Sequence, residues 1–145
     1  MRMLSALPVV ALALAGCGSA AASDPLLGTT WHLTGITSMA PAEEPNTTIA
    51  DPSKYTVTFG PDGRAAFQVD CNRGNASWQA SSTAHDSGTL TFGPLALTRM
   101  FCPQPSDDTK VAAALGRVRG YLISDGKLHM SLEADGGVMN WQPVS

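Results

Sequence analysis

Charge is scarce in this chain and aromatic side chains are scarcer: 14% of residues are Asp, Glu, Lys or Arg, and 6% are Phe, Trp or Tyr. The few basic residues form no run and no stripe, so the electrostatic footprint of a nucleic-acid binder is missing. No apolar stretch reaches the ~20 residues that a membrane-spanning helix requires. Histidine and cysteine occur three times each. No His or third Cys lies near Cys71 or Cys102, so a closed tetrahedral zinc site cannot be assembled from local sequence. No segment places a nucleophile with a base, so neither an enzyme nor a cofactor is expected.

What is present begins with a leader. Met1 to Gly16 carries one charge, Arg2, followed by the apolar run Ala6 to Leu14. This has the form of a secretory signal peptide, too short to cross a bilayer as a helix. It ends in Leu14-Ala15-Gly16-Cys17, which resembles the lipobox read by the lipoprotein-processing peptidase. Cleavage before Cys17 and lipidation of its thiol are therefore expected. Because each buried CH₂ contributes ~0.8 kcal/mol, the two or three acyl chains of a processed lipoprotein hold stably where one would not. Residues 17–24 are small and polar and read as a flexible, lipid-anchored tether. The expected location is the bacterial cell envelope, with the domain facing the periplasm or exterior. Gly18, in place of a retention-favouring Asp, permits outer-membrane sorting where such a membrane exists.

Residues 25–145 are then one domain, long enough to bury a single core. Without Arg2, eight basic side chains face twelve acidic ones, and a monomer is expected. With Cys17 taken by lipid, Cys71 and Cys102 remain as an even pair in an oxidising compartment, which favours a disulfide over metal binding. The loop it closes, of about 32 residues, is worth roughly 3 to 4 kcal/mol if unstrained.

Period-two alternation runs through most of the domain. Trp31 and Leu33 alternate with His32 and Thr34. Tyr55, Val57 and Phe59 lead into the turn Gly60-Pro61-Asp62-Gly63, and the return strand places Phe67, Val69 and Cys71 on one face. Ala76, Trp78 and Ala80 alternate, as do Leu90 and Phe92 after a polar loop from Ser82 to Gly88. Tyr121 to Ile123, Leu128 to Leu132 and Val138 to Trp141 form a late meander around Asp125-Gly126 and Ala134 to Gly137. Only Ser106 to Arg119 breaks the pattern, with Val111, Ala114, Leu115 and Val118 at helical spacing and Ser106 or Asp107 available as a cap. Ser38 to Ser53 reads as a long surface loop. The expected fold is β-rich (α+β): a small closed or nearly closed antiparallel structure of about seven or eight strands with one helix over an opening or face.

With these elements placed, the sequence resembles the META domain family, the HslJ-like heat-shock lipoproteins of bacterial envelopes. The resemblance spans Leu27 to Leu33, Tyr55 to Phe59 and Asp62-Gly63-Arg64. Its most specific parts are Asp70-Cys71-Asn72-Arg73-Gly74 and Leu95 to Cys102, and Leu128 to Leu132 and Ala134 to Gly137 close it. It implies a small exported β-rich domain associated with heat-shock response and antibiotic tolerance. It implies no catalytic residue, so no functional site carries over.

Several residue groups invite a functional reading. His85-Asp86-Ser87 holds the three residue types of a serine-hydrolase triad, but adjacent residues before Gly88 read as a turn. His32, His85 and His129 are too dispersed to read as a metal site. Asn72, Arg73 and Arg99 form a possible polar recognition cluster, because the disulfide would bring Arg99 to Asn72 and Arg73 and present fork-like donors to a carboxylate or phosphate. The competing reading is structural, with Asn72 shaping a turn and a half-buried Arg99 bonding carbonyls or Asp70. Trp31, Trp78 and Trp141 read as core, against a barrel that keeps an apolar cavity. The expectation that follows is a non-enzymatic envelope stress or integrity factor, acting through its protein surface on an envelope protein and held to the membrane by lipid on Cys17. The alternative is a β-barrel that binds a small molecule or lipid.

Overall fold

The computed structural model describes residues 24–144. The signal peptide, Cys17 and the tether up to Ser23 lie outside the described residues.

The strands are β1 (Thr30–Thr37), β2 (Thr47–Thr48), β3 (Tyr55–Phe59), β4 (Arg64–Val69), β5 (Asn72–Ala84), β6 (Ser87–Phe92), β7 (Ala96–Leu97), β8 (Val118–Ser124), β9 (Lys127–Leu132) and β10 (Val138–Pro143), with one α-helix among the described residues, α1 (Asp108–Leu115). Eight strands pair antiparallel in the order β1-β3-β4-β5-β6-β8-β9-β10, and β10 returns to β1 to close a barrel. Closure matches Leu33 with Trp141 and Ile36 with Met139. The two-residue strands fill the remaining edges, β2 beside Gly35 and Ile36 of β1, and β7 beside Gly74 and Asn75 of β5.

Alternation becomes burial as the period of a strand demands. Val57, Phe59, Leu33, Leu90, Leu128, Met130 and Met139 are fully buried. Trp31, Trp78 and Trp141 all belong to the core cluster. Phe59 meets Trp78 edge-on at 5.1 Å and stacks on Phe92 at 6.0 Å, while Phe67 meets Phe92 edge-on at 5.1 Å. The indole N–H of Trp141 is buried and has no hydrogen-bond partner among the described residues.

The two barrel ends are closed differently. At one end, Leu26 is fully buried and the Gly28 N–H donates to Phe59 O at 2.8 Å, so the chain enters the domain there. At the other end lie the start of β3, the β4–β5 turn and α1, whose Val111, Ala114 and Leu115 are buried. The Asp107 N–H donates to the Tyr55 hydroxyl at 3.0 Å, and the Glu133 N–H to Arg117 O at 2.8 Å, fastening both ends of the helix across that opening.

Four local expectations are corrected. The helix stops at Leu115, because Gly116 ends it and β-branched Val118 opens β8. The segment Ser38 to Ser53 is not all surface: Thr47–Thr48 pair with β1 and Ile49 enters the core. The hairpin between β5 and β6 turns tightly at His85-Asp86, so the polar loop is shorter than Ser82 to Gly88. Finally, β4 ends at Val69, so Cys71 sits in the turn after it, where Asp70 takes the left-handed conformation at φ 56°.

Candidate functional site

The β4–β5 turn and the loop after β7 are joined by the Cys71–Cys102 disulfide, with Cα atoms 5.5 Å apart. Asn72, the first residue of β5, is the one polar residue among the buried set. Its Oδ1 accepts from the Met100 N–H at 2.7 Å and from Thr98 Oγ1 at 2.9 Å. Its Nδ2 donates to Met100 O at 3.1 Å and lies 3.4 Å from Cys102 Sγ. Every hydrogen-bonding position of the amide is in use, as burial requires. Arg73 adds a backbone pair, its O accepting from the Thr98 N–H at 3.0 Å and its N–H donating to Thr98 Oγ1 at 3.1 Å. The structural reading of Asn72 therefore stands in a different form. It clamps Thr98 to Cys102 from within a strand, and Asp70 does the turning.

Arg99 departs from expectation. Its side chain is exposed and makes no hydrogen bond or ion pair with any described residue, so it does not hold the fold together. Asp70, its expected partner, instead accepts from Ser106 Oγ at 2.5 Å. The Arg73 side chain is exposed as well. The disulfide does bring the Arg99 loop beside Asn72 and Arg73, but through backbone and amide contacts.

Sequence reasoning passed over three features here. Thr98 and Ser106 carry the cross-links, and a lone hydroxyl in a loop gives no signal of its partner. Gly74 must lack a side chain, because a Cβ would collide with the Ala96 carbonyl where β7 crosses β5. The third feature is exposed apolar surface: Phe101 is 87% and Met100 63% exposed on a loop tied down on both sides. Below them, the buried Tyr55 hydroxyl is pushed above the ordinary phenol range, chiefly by loss of solvent and also by nearby Asp70 and Asp107. It stays protonated and accepts from the Asp107 N–H.

Between this loop and α1 lies a groove of about 570 Å³. Its lining includes Val69, Leu95, Leu97 and Ala112, with Asn72, Arg99, Met100, Phe101 and Asp108. That volume falls within the range of small-molecule sites. It sits at the helix-capped end, whereas the barrel interior is filled by the core.

The remaining candidates do not converge. His85 is at a hairpin tip with its side chain 97% exposed and Nε2 3.9 Å from Asp86 Oδ1, as a turn and not a relay. His129 Nδ1 lies 2.8 Å from Asn140 Oδ1, whose amide donates to Thr37 Oγ1 at 2.9 Å, a polar ladder across β9, β10 and β1. Among the described residues no group of three or more His, Cys, Asp or Glu is placed to hold a metal ion.

A model of the META domain matches residues 24–144. Among solved structures, the chain is similar to the NMR structure of a protein from Burkholderia xenovorans, with a TM-score of 0.65, 21% identity, and coverage of 83% of this chain and 84% of that one. It is also similar to the crystal structure of a DUF4847 family protein from Bacteroides vulgatus, with a TM-score of 0.56, 16% identity, and coverage of 81% and 94%. At such identities the likeness concerns the fold alone. No curated protein matches the sequence.

Proposed function

The chain belongs to the META domain family, and from that premise we propose that it is a non-catalytic lipoprotein of the bacterial envelope that acts by contact, through the helix-capped end of its barrel. One observation carries the reading: Phe101 and Met100 are held out in solvent by a disulfide, a saturated buried amide and a backbone pair. Apolar side chains on a flexible loop would lose freedom on binding. Fixed in advance, they avoid most of that cost. Phe, Met and Arg are also residue types enriched at protein interfaces.

Lipid attachment at Cys17 gives this surface a direction. The chain enters at the barrel end opposite α1, and the stretch from Cys17 to Asp24 reaches no further than ~24 Å when fully extended. A domain tethered there by a flexible segment is free to present Phe101 away from its own membrane, towards an envelope protein. A role in envelope integrity under stress is the setting that the HslJ-like resemblance suggests.

The test is complementation of cells lacking the protein with the double variant Met100→Ser, Phe101→Ser, expressed at equal level. Both side chains are exposed, so the melting temperature should stay close to wild type. Tolerance of heat and of envelope-directed antibiotics should be lost. Full rescue by the double variant would refute the proposal.

A further inference from the structure

We propose that the groove between α1 and the disulfide-pinned loop binds a single aliphatic chain ending in a monoanionic headgroup, with the chain along the apolar part of its lining and the headgroup on Arg99. The inference goes beyond the contact reading above, because it assigns a ligand chemistry to the groove itself.

The lining is mixed: Leu95, Leu97 and Ala112 supply apolar surface, Met100 and Phe101 stand at its edge, and the remainder is polar. Of the polar groups that share the lining, Asn72, Thr98 and Gln104 are engaged within the fold, whereas the Thr109 side chain bonds no described residue. Asn72 uses both amide atoms on Thr98, Met100 and Cys102. Gln104 donates to Cys102 O at 3.1 Å and accepts from the Ser106 N–H at 3.3 Å. A hydrocarbon chain laid along Leu95, Leu97 and Ala112 would cover exposed Phe101 and leave these bonds intact, with the polar remainder of the lining free to meet a headgroup.

Two charged side chains line the groove, and they differ. Asp108 Oδ1 lies 3.1 Å from Ser106 Oγ, whose oxygen also accepts from the Asp108 N–H at 3.2 Å. Arg99 is exposed and has no partner among the described residues. A guanidinium offers a planar pair of donors to a carboxylate or phosphate oxygen pair. Asp108, on the α1 side of the groove facing the Arg99 loop, disfavours a second negative charge, which limits the headgroup to one. The volume of about 570 Å³ holds one chain of moderate length and not a folded headgroup-rich lipid.

The experiment uses the natively processed chain in nanodiscs of zwitterionic phospholipid, with a photoreactive dodecanoate as probe and peptide mapping of the cross-links. Cross-links should fall on residues 95–104 and 109–112. Unlabelled dodecanoate and methyl dodecyl phosphate should both compete, the stronger one identifying a fatty-acid or a phosphodiester source. Dodecanol and dodecylammonium should compete poorly. Arg99→Gln, which breaks no contact of the fold, should weaken dodecanoate competition roughly tenfold while leaving dodecanol unchanged. Cross-links outside the groove, no saturable labelling, or equal competition by dodecylammonium would each overturn the assignment. Failure here with a Met100→Ser, Phe101→Ser variant that still cannot complement would remove the ligand and leave the contact reading in place.

Discussion

Asn72 and Arg99 look alike in the sequence, as polar residues flanking a cysteine, and the structure separates them completely. The amide of Asn72 is buried and satisfied on both atoms, so its removal takes a partner from the N–H and O of Met100 and from the hydroxyl of Thr98, which keeps only the Arg73 N–H. Thr98 and Met100 are exposed residues, so each hydrogen bond lost costs its net worth of about 0.5–1.5 kcal/mol. Asn72→Ala should therefore lower stability by about 3 kcal/mol in urea denaturation with the disulfide intact. Arg99→Ala should change it by no more than about 0.5 kcal/mol, as for other unbonded surface residues. Equal losses from the two substitutions would show that Arg99 has a structural partner after all. The contrast could not be read from residue type, because an amide is as common in solvated turns as in buried clamps. What decides is whether another segment crosses it, and here Thr98 to Cys102 does.

At the scale of elements, the site is a loop held at three points: the disulfide, the Asn72 clamp and the Arg73–Thr98 backbone pair. The disulfide spans a sequence separation of 31 residues, including β5, β6 and β7. Cross-linking such a loop restricts the unfolded chain, and removing a native disulfide from a small secreted domain typically costs about 2–5 kcal/mol. Cys71→Ala with Cys102→Ala should lie in that range by denaturant unfolding, yet Asn72 should keep the loop near its place in the folded state. Hydrogen exchange at the Met100 amide is the check: in the double variant it should quicken in step with the loss of global stability, not more. The pair itself was legible from cysteine parity and the lipobox. The clamp beside it was not.

For the whole molecule, the proposed contact depends on the end at which the described chain enters the barrel. The barrel admits its chain at the end away from α1, so Leu26 and the exposed apolar loop lie at opposite ends. Lipid on Cys17 is inferred from Leu14-Ala15-Gly16-Cys17. Cys17→Ser should abolish incorporation of labelled fatty acid and leave a larger precursor. Wild-type protein recovered without lipid, with a free amino terminus beyond Cys17, would defeat the inference and with it the proposed orientation.

Most of the barrel's strands were written in the sequence, because alternation is a property of neighbours two residues apart and the turns at Gly63 and Asp125-Gly126 carry their own backbone chemistry. The helix α1 was visible for the same reason, at its own period. A closed or nearly closed structure was expected from the strand count, but not which strands close it. Pairing Leu33 with Trp141 joins residues from opposite ends of the domain, and nothing local in either strand names the other. Ile49 reached the core from a segment that reads as polar loop, since one apolar residue has no period. The groove depends on both kinds of information: its apolar lining comes from residues seen in the sequence, while its existence depends on α1 crossing the barrel end and a pinned loop standing beside it. Tertiary packing alone set which polar groups were consumed inside the fold and which, like the guanidinium of Arg99, were left in solvent.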